Sequence, residues 1–540
     1  MKPSDPTAAS RPRVAVPATP HGQPLHCDVL IVGGGINGCG IARDLSGRGL
    51  GIVLCEKDDL AQHTSSSSTK LIHGGLRYLE HYEFSLVRKA LQEREVLLKS
   101  APHIMWPLRF VMPHDRSLRP VWMIRAGLFL YDHLARREVL PASQTVDLRR
   151  HPAGTPLKAA YTRGFVYSDG WVDDARLVVL NALDAQARGA AILTRTRCVE
   201  ARRGPAGWEA TLVDVEGRRR AVQARALVNA AGPWAEQFLR EHAHQRGTKA
   251  LRLVKGSHIV VRRLFDHPYA YIFQNPDKRI IFAIPYEGAY TLIGTTDVEH
   301  LGPIGQAHID DGEIAYLCEQ ASRYFARPVR PEDVVWTYAG VRPLLDDASG
   351  DPSAVTRDYL LELDTTGGAP LLSVWGGKIT TFRKLAEEAA DLLGPALGVR
   401  TPGWTEGAFL PGGDLSAYIG APQRPDQDFE RFDAELARRH PWLAPAMRRR
   451  WARAYGARVG LLIGDARGPA DLGEEVAPGL PEAELEYLVR EEWALSADDV
   501  LWRRSKLGLH LEPPQREAVE RWMAARLDPV HGGLTESPAP

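Results

Sequence analysis

Three short stretches bring glycines and cations together in a way that suits an anionic ligand. In "SVWGGKITTFRKLAEE", Gly376 and Gly377 precede Lys378 at what reads as the start of a helix. Backbone N–H groups at such a turn concentrate positive potential, and Lys378 adds a full charge beside them. In "VWTYAGVRPLLDDASGDPSAVTRDYLLE", Arg342 and Arg357 carry planar donor forks that match phosphate or carboxylate. An isolated arginine is more often a member of a surface ion pair. Arg342, however, sits in an apolar Ala-Gly-Val/Pro-Leu-Leu frame, and Arg357 directly precedes a predicted strand. The third stretch, "HTSSSSTKLIHGGLRYLE" at residues 63–80, has the composition of a linker, yet Lys70, His73, Arg77 and Tyr78 follow its hydroxyl run. His258, in "VKGSHIVV", opens a predicted strand. A histidine there is either a satisfied core residue or a base whose ordinary pKa lies near neutrality.

The element that must position these groups begins at residue 27. "CDVLIVGGGINGCGIARDLSGRGLGIVLCEK" reads as strand, glycine-rich turn, helix and second strand. Gly33, Gly35 and Gly38 form G-x-G-x-x-G: the first permits the tight turn, the second lets a pyrophosphate approach the backbone, and the third allows close helix–strand packing. The helix N-terminus then faces the phosphates, and Glu56, closing the second strand, is placed for the ribose hydroxyls. A purely structural glycine turn would not need that acid. No second G-x-G-x-x-G follows to hold a nicotinamide dinucleotide, which favours one bound flavin.

Further along, "ARALVNAAGPWAEQFL" repeats the strand-to-helix turn with Gly232 at the bend, and residues 173–188 read as a helix with its acids at the N-terminal end. Residues 255–297 are strongly β, broken at Asn275-Pro276-Asp277 and Glu287-Gly288. After Pro402 the pattern is mostly helical. The expected class is α/β: a Rossmann-like dinucleotide-binding domain in three pieces (27–105, 162–250 and 335–400), a β-rich substrate or cap domain (106–161 and 251–334) and a helical C-terminal domain (401–540). Residues 1–26 are expected to be a disordered tail.

Bulk properties narrow the function classes. At 540 residues the chain exceeds one core, so two or three domains are expected. Lys+Arg and Asp+Glu balance at 67 each, so there is no global attraction to nucleic acid, and any basic site is local. Five scattered cysteines without C-x-x-C fit a reducing compartment and argue against zinc, and no metal site is expected. The first 26 residues carry six prolines and no apolar run, which excludes a secretory h-region. No long uncharged apolar stretch is present to span a bilayer. "RSLRPVWMIRAGLFLYDHLARR", at 116–137, suits a helix lying in a membrane interface, or a helix of the insertion packed on its sheet; the packed reading is preferred.

The motifs "GGGINGCGIARDLSGRGL", "SSSSTKLIHGGLRYLEHYEFSLV", "VKGSHIVV", "IGTTDVE", "WTYAGVRPL", "TRDYLLE" and "GGKITTFRKLAE" occur in this order, and "LPGGDL", "DLGEE" and "AELEYLVREEWALSADDVLWRRSKLGL" follow. Over residues 27–522 the chain resembles the bacterial aerobic FAD-dependent glycerol-3-phosphate dehydrogenases, flavoproteins of D-amino-acid-oxidase-like fold. The resemblance implies non-covalent FAD and oxidation of sn-glycerol 3-phosphate to dihydroxyacetone phosphate by hydride transfer from C2 to flavin N5. Electrons would pass on to a membrane quinone, from a homodimer attached peripherally to the cytoplasmic face of the membrane.

Carried over by position, Arg77, Tyr78, His258, Arg342 and Lys378 are the catalytic set, and Arg342, Arg357 and Thr296 hold substrate. His258 is then the base, and Lys378 stabilises charge near the flavin and the developing alkoxide. The cofactor side joins Gly33, Gly35, Gly38 and Glu56 with Asn37, Ser66, Ser68, Lys70, Gly232, Gly340, Gly377, Lys378 and Thr380. The proline-rich tail is a departure from the family's pattern. A glycerol-3-phosphate oxidase using dioxygen would carry the same residues. An amine or amino-acid oxidase of the same fold would want a carboxylate clamp and an apolar cage, and a non-catalytic flavin-stabilised scaffold would not need the full set of cations and His258.

Overall fold

Val29, Leu30 and Ile31 have no exposed surface, as a central parallel strand between covered faces requires. They belong to the strand Leu25–Val32 of a computed structural model that describes residues 23–115, 119–247, 249–277, 279–346 and 358–527. The tail at 1–22 and Arg357 lie outside the described residues.

Leu25–Val32 pairs in parallel with Ile52–Cys55 on one side and Arg219–Asn229 on the other. The sheet runs Leu360–Asp364, Leu371–Trp375, Arg219–Asn229, Leu25–Val32, Ile52–Cys55, Ala191–Leu193. An antiparallel pair, Thr196–Arg203 and Trp208–Asp214, joins it along the N-terminal half of Arg219–Asn229. The helix Ile36–Gly47 makes the first crossover and packs against the helices Asp174–Ala187 and Phe382–Leu397. Three segments far apart in sequence therefore build one dinucleotide-binding layer.

A second sheet of ten strands carries the substrate side. Its order is Val298–Glu299, Leu251–Arg262, Tyr290–Gly294, Ile280–Tyr286, Ala270–Gln274, Met105–Pro113, Arg163–Val172, Leu71–Ile72. Val334–Leu345 also lies along Leu251–Arg262, and Gln144–Asp147 along Arg163–Val172. All pairings are antiparallel except that between Ala270–Gln274 and Met105–Pro113. Arg163–Val172 and Val334–Leu345, expected from sequence in the dinucleotide domain, run in this second sheet instead. A strand's local pattern fixes its faces and not its partner; Arg163–Val172 is paired on both edges and buried almost throughout.

The helix Val121–His133 turns Leu128 and Tyr131 inward and leaves Trp122 and Phe129 exposed at 68% and 63%. Among the described residues, no helix is long and apolar enough to cross a membrane.

A separate compact unit comprises Pro411–Gln423 and the described residues from Gln427 to Leu527. Its core gathers Phe429, Phe432, Leu436, Trp451, Tyr487 and Leu488. Glu484, fully buried, is satisfied by Arg450, by the Trp451 indole N–H at 2.8 Å and by the Tyr455 hydroxyl at 2.6 Å, as a buried carboxylate must be.

Candidate active site

A cavity of about 460 Å³ runs from the Gly33–Gly38 turn to Lys378 within the larger unit. At one end Gly33 takes φ +116°, and a Cβ there would stand 2.4 Å from the Ala230 carbonyl oxygen. A Cβ on Gly38 would overlap the Gly33 carbonyl oxygen at 1.9 Å, so only two glycines let the helix close onto the turn. Gly35, Ile36 and Asn37 thereby present the helix N-terminus to the cavity. Glu56 accepts from the N–H groups of Gly34 at 2.7 Å and Asp58 at 2.9 Å, and each oxygen keeps a lone pair for a ligand hydroxyl. Burial pushes its pKa up, and those two backbone donors pull it back.

At the far end, the Asn37 amide donates to the Gly376 carbonyl at 3.1 Å, which ties the first helix to the Lys378 turn. Lys378 precedes the short turn Ile379–Thr381 and the helix Phe382–Leu397. The His73 N–H donates to the Thr380 hydroxyl at 3.2 Å, bringing the third stretch to the same place. A glycine turn, a ribose-directed carboxylate and a second cationic turn along one cavity form a donor set that fits a flavin dinucleotide.

The substrate side is built on the strand Leu251–Arg262. Its register sets His258 opposite Gly294 on one neighbour and Tyr338 on the other. Gly294 makes room for the imidazole: a Cβ there would lie 2.1 Å from the ring. Tyr338 stacks on His258 with centroids 4.6 Å apart and an interplanar angle of 14°, while its hydroxyl donates to the Ser68 carbonyl at 2.7 Å. His258 Nε2 lies 3.0 Å from Thr69 Oγ1. Burial, then the charges of Lys70 and Arg342, hold the imidazole pKa well below its usual range, so His258 is neutral near pH 7.

Arg342 donates to the Thr296 carbonyl at 2.8 Å and pairs with Asp297 at 2.8 Å, which fixes the plane of its fork. Tyr78, on the short turn Leu76–His81, lies under Lys378, whose ammonium is 3.9 Å from the ring centroid.

The cavity brings together most of the residues expected from sequence. Gly38, Ser66, Lys70, Arg77 and Thr296 do not line it. Gly38 packs on Gly33 beneath the turn. Lys70 is turned inward to Asp174 at 2.8 Å and to the Ser66 carbonyl at 2.6 Å. The Thr296 hydroxyl donates to Glu313 at 2.7 Å and accepts from the Ser257 N–H at 3.0 Å, so it braces the strand beside Arg342. Thr69, in the hydroxyl run expected beside the cofactor, lines it, and so do Phe282, Thr295 and Trp234, which were not among the expected site residues. Phe282 pairs across from Gly294, a cross-strand placement that no single segment signals. Trp234, packed on His63 and beneath Lys57, had no local signal.

Known proteins match this arrangement. The family model described as FAD dependent oxidoreductase matches residues 28–383, and the one described as C-terminal domain of alpha-glycerophosphate oxidase matches 404–527. A glycerol-3-phosphate dehydrogenase of Pseudomonas aeruginosa is 53% identical over 497 residues, covering 92% of this chain and 94% of its own. A D-erythritol 1-phosphate dehydrogenase of Brucella abortus is 50% identical over 501 residues, covering 93% of this chain and 98% of its own. Among solved structures, a glycerol-3-phosphate dehydrogenase from Bacillus halodurans complexed with FAD gives a TM-score of 0.74 at 28% identity, covering 93% of this chain and 90% of that one. With the matched model spanning well over half its length, the chain belongs to the FAD dependent oxidoreductase family, and its cofactor is FAD.

Proposed function

We propose that the protein oxidises the secondary alcohol of sn-glycerol 3-phosphate to dihydroxyacetone phosphate. The observation that carries this reading is a neutral, buried His258 in the same cavity as a dinucleotide cradle and the fixed fork of Arg342. FAD, when bound, supplies the two-electron acceptor. His258 takes up the hydroxyl proton, for which a neutral imidazole is required. Arg342, with Arg357, recognises the phosphate; Lys378 and the backbone donors of its turn stabilise negative charge that develops on the substrate oxygen. Tyr78 holds the Lys378 ammonium in place through its ring face.

A second reading is favoured by the half-identical relative named for D-erythritol 1-phosphate. Both substrates carry a primary phosphate ester next to a secondary hydroxyl, so Arg342 and His258 would serve either. An anaerobic titration tests the two together. Bleaching of the flavin by sn-glycerol 3-phosphate, faster than by D-erythritol 1-phosphate, is the expected result. Faster bleaching by sarcosine or a D-amino acid would sink the proposal. Reoxidation by a quinone analogue faster than by air marks a dehydrogenase, and the reverse marks an oxidase.

The quinone acceptor, a homodimer and peripheral attachment to the cytoplasmic face of the membrane are proposed on the same family resemblance. The exposed Trp122, Met123 and Phe129 of the helix Val121–His133, close to Arg119 and Arg125, support the membrane contact. The protein should therefore sediment with anionic liposomes at low salt, and replacement of Trp122 and Phe129 by serine should weaken that association. Full retention in the supernatant would remove membrane contact from the proposal.

A further inference from the structure

The base in this site does not face the cavity freely. His258 is 2% exposed, and its Nδ1 is buried with no hydrogen-bond partner among the described residues. Its other nitrogen, Nε2, is covered by Thr69 Oγ1 at 3.0 Å, and Thr69 is only partly buried and lines the cavity. We propose that Thr69 is a catalytic residue that relays the substrate's hydroxyl proton to His258, an inference that rests on the proposed alcohol oxidation.

The backbone around Thr69 is built to hold that contact. Ser68 donates through both its N–H at 3.1 Å and its hydroxyl at 2.7 Å to Asp174, and Lys70 reaches the same carboxylate at 2.8 Å. Thr69 therefore sits between two residues anchored to one buried acid, with its hydroxyl on the cavity side. Tyr338 fixes the other partner: it stacks on the imidazole and donates to the Ser68 carbonyl, so ring and loop share one support. The charged groups around the imidazole are Lys70 with its partner Asp174, and Arg342 with its partner Asp297.

The balance of the step is simple. The relay uses the Nδ1–H tautomer, in which Nε2 accepts from the Thr69 hydroxyl and the threonine oxygen keeps lone pairs for the substrate. The substrate O–H bond breaks and its proton passes to Thr69 Oγ1, while Thr69's own proton passes to Nε2. The two electrons leave C2 with the hydride to the bound dinucleotide, and the C2–O bond becomes a carbonyl. Thr69 ends with one proton, as it began, and the imidazolium later gives its proton to solvent.

The test uses the full-length FAD-loaded enzyme, its Thr69→Val and Thr69→Ser variants, and anaerobic stopped-flow flavin reduction by sn-glycerol 3-phosphate. Valine keeps the shape of threonine and removes the hydroxyl. Thr69→Val should slow reduction on the order of 10²-fold with substrate affinity little changed, and Thr69→Ser should keep most of the parent rate. In mixed H₂O and D₂O the parent and the serine variant should show a curved proton inventory, because two protons move. Nitrogen-15 NMR of the resting holoenzyme should show His258 protonated at Nδ1. Reduction of Thr69→Val at the parent rate, or an Nε2–H tautomer, would overturn the relay while leaving the alcohol oxidation standing. A parent flavin that sn-glycerol 3-phosphate does not bleach would overturn the oxidation itself, and the relay with it.

Discussion

Replacing His258 with asparagine is expected to leave FAD bound and to slow its anaerobic bleaching by sn-glycerol 3-phosphate on the order of 10²–10⁴-fold. Asparagine fits the space that Gly294 leaves open and can still meet Thr69, so the strand register and the dinucleotide turn have no reason to move. What it lacks is a nitrogen basic enough to take a proton. The pH dependence adds a second handle. Burial, Lys70 and Arg342 depress the folded imidazole below its ordinary value of 6.5. The parent should therefore stay active through neutrality, with the acid limb of its reduction rate well below pH 6.5.

The sign for stability follows from the same depression. Between the folded pKa and 6.5, the unfolded chain binds a proton that the folded chain does not. The stability that His258 contributes by staying neutral is thus complete above pH 6.5 and is lost as pH falls below it. In His258→Asn that part of the acid-side decline should disappear. Stopped-flow reduction and urea unfolding between pH 5 and 8 measure both effects, with pH 5 to 8 being roughly the range in which an ordinary histidine titrates. A variant with the parent rate, or one with an unchanged acid limb, would remove His258 from the role of base.

The dinucleotide end of this site was legible because its chemistry is local. Gly33, Gly35, Gly38 and Glu56 lie within one strand–turn–helix–strand unit, and every constraint on them comes from neighbours in that unit. The substrate end is different in kind. His258, Gly294 and Tyr338 meet only because three strands pair in one register, and no single segment carries that information. Family resemblance supplied His258, Arg342 and Lys378, but not which hydroxyl faces which nitrogen. Lys70 and Thr296 show the limit most clearly. Both types suit a ligand site, and both stand one residue from a side chain that does line the cavity, Thr69 and Thr295. Both lie outside the strands, and Lys70 takes a left-handed φ of +62°, so a local turn that the hydrophobic pattern does not announce separates a cavity wall from an internal brace.

Asp174→Ala is expected to destabilise the larger unit by about 3–5 kcal/mol, the effect of leaving one partner of a buried ion pair without the other. Lys70 and Asp174 have side-chain exposures of 1% and 0%, so no water replaces the lost contact. Asp174 also sits in the first turn of the helix Asp174–Ala187, where the helix dipole favours its charge, and it accepts from Ser68 as well as Lys70. With the Ala175 N–H, which also donates to it at 2.9 Å, removing it therefore frees four donors at once. Lys70→Met alone should cost a similar amount, because it strands the acid. The double variant Lys70→Met with Asp174→Ala should recover much of the loss, since neither charge then remains buried; the coupling in the double-mutant cycle reports the pair. Unfolding followed by FAD release isolates the larger unit, which holds the cavity. The rates should separate from the stabilities. Even in the stabilised double variant Ser68 has lost its acceptor, so the Thr69–His258 contact loosens and flavin reduction should stay slow. Additive losses, with no recovery in the double variant, would show that the two charges are held by other groups. A double variant that reduces its flavin at the parent rate would show that the loop around Thr69 does not depend on Asp174.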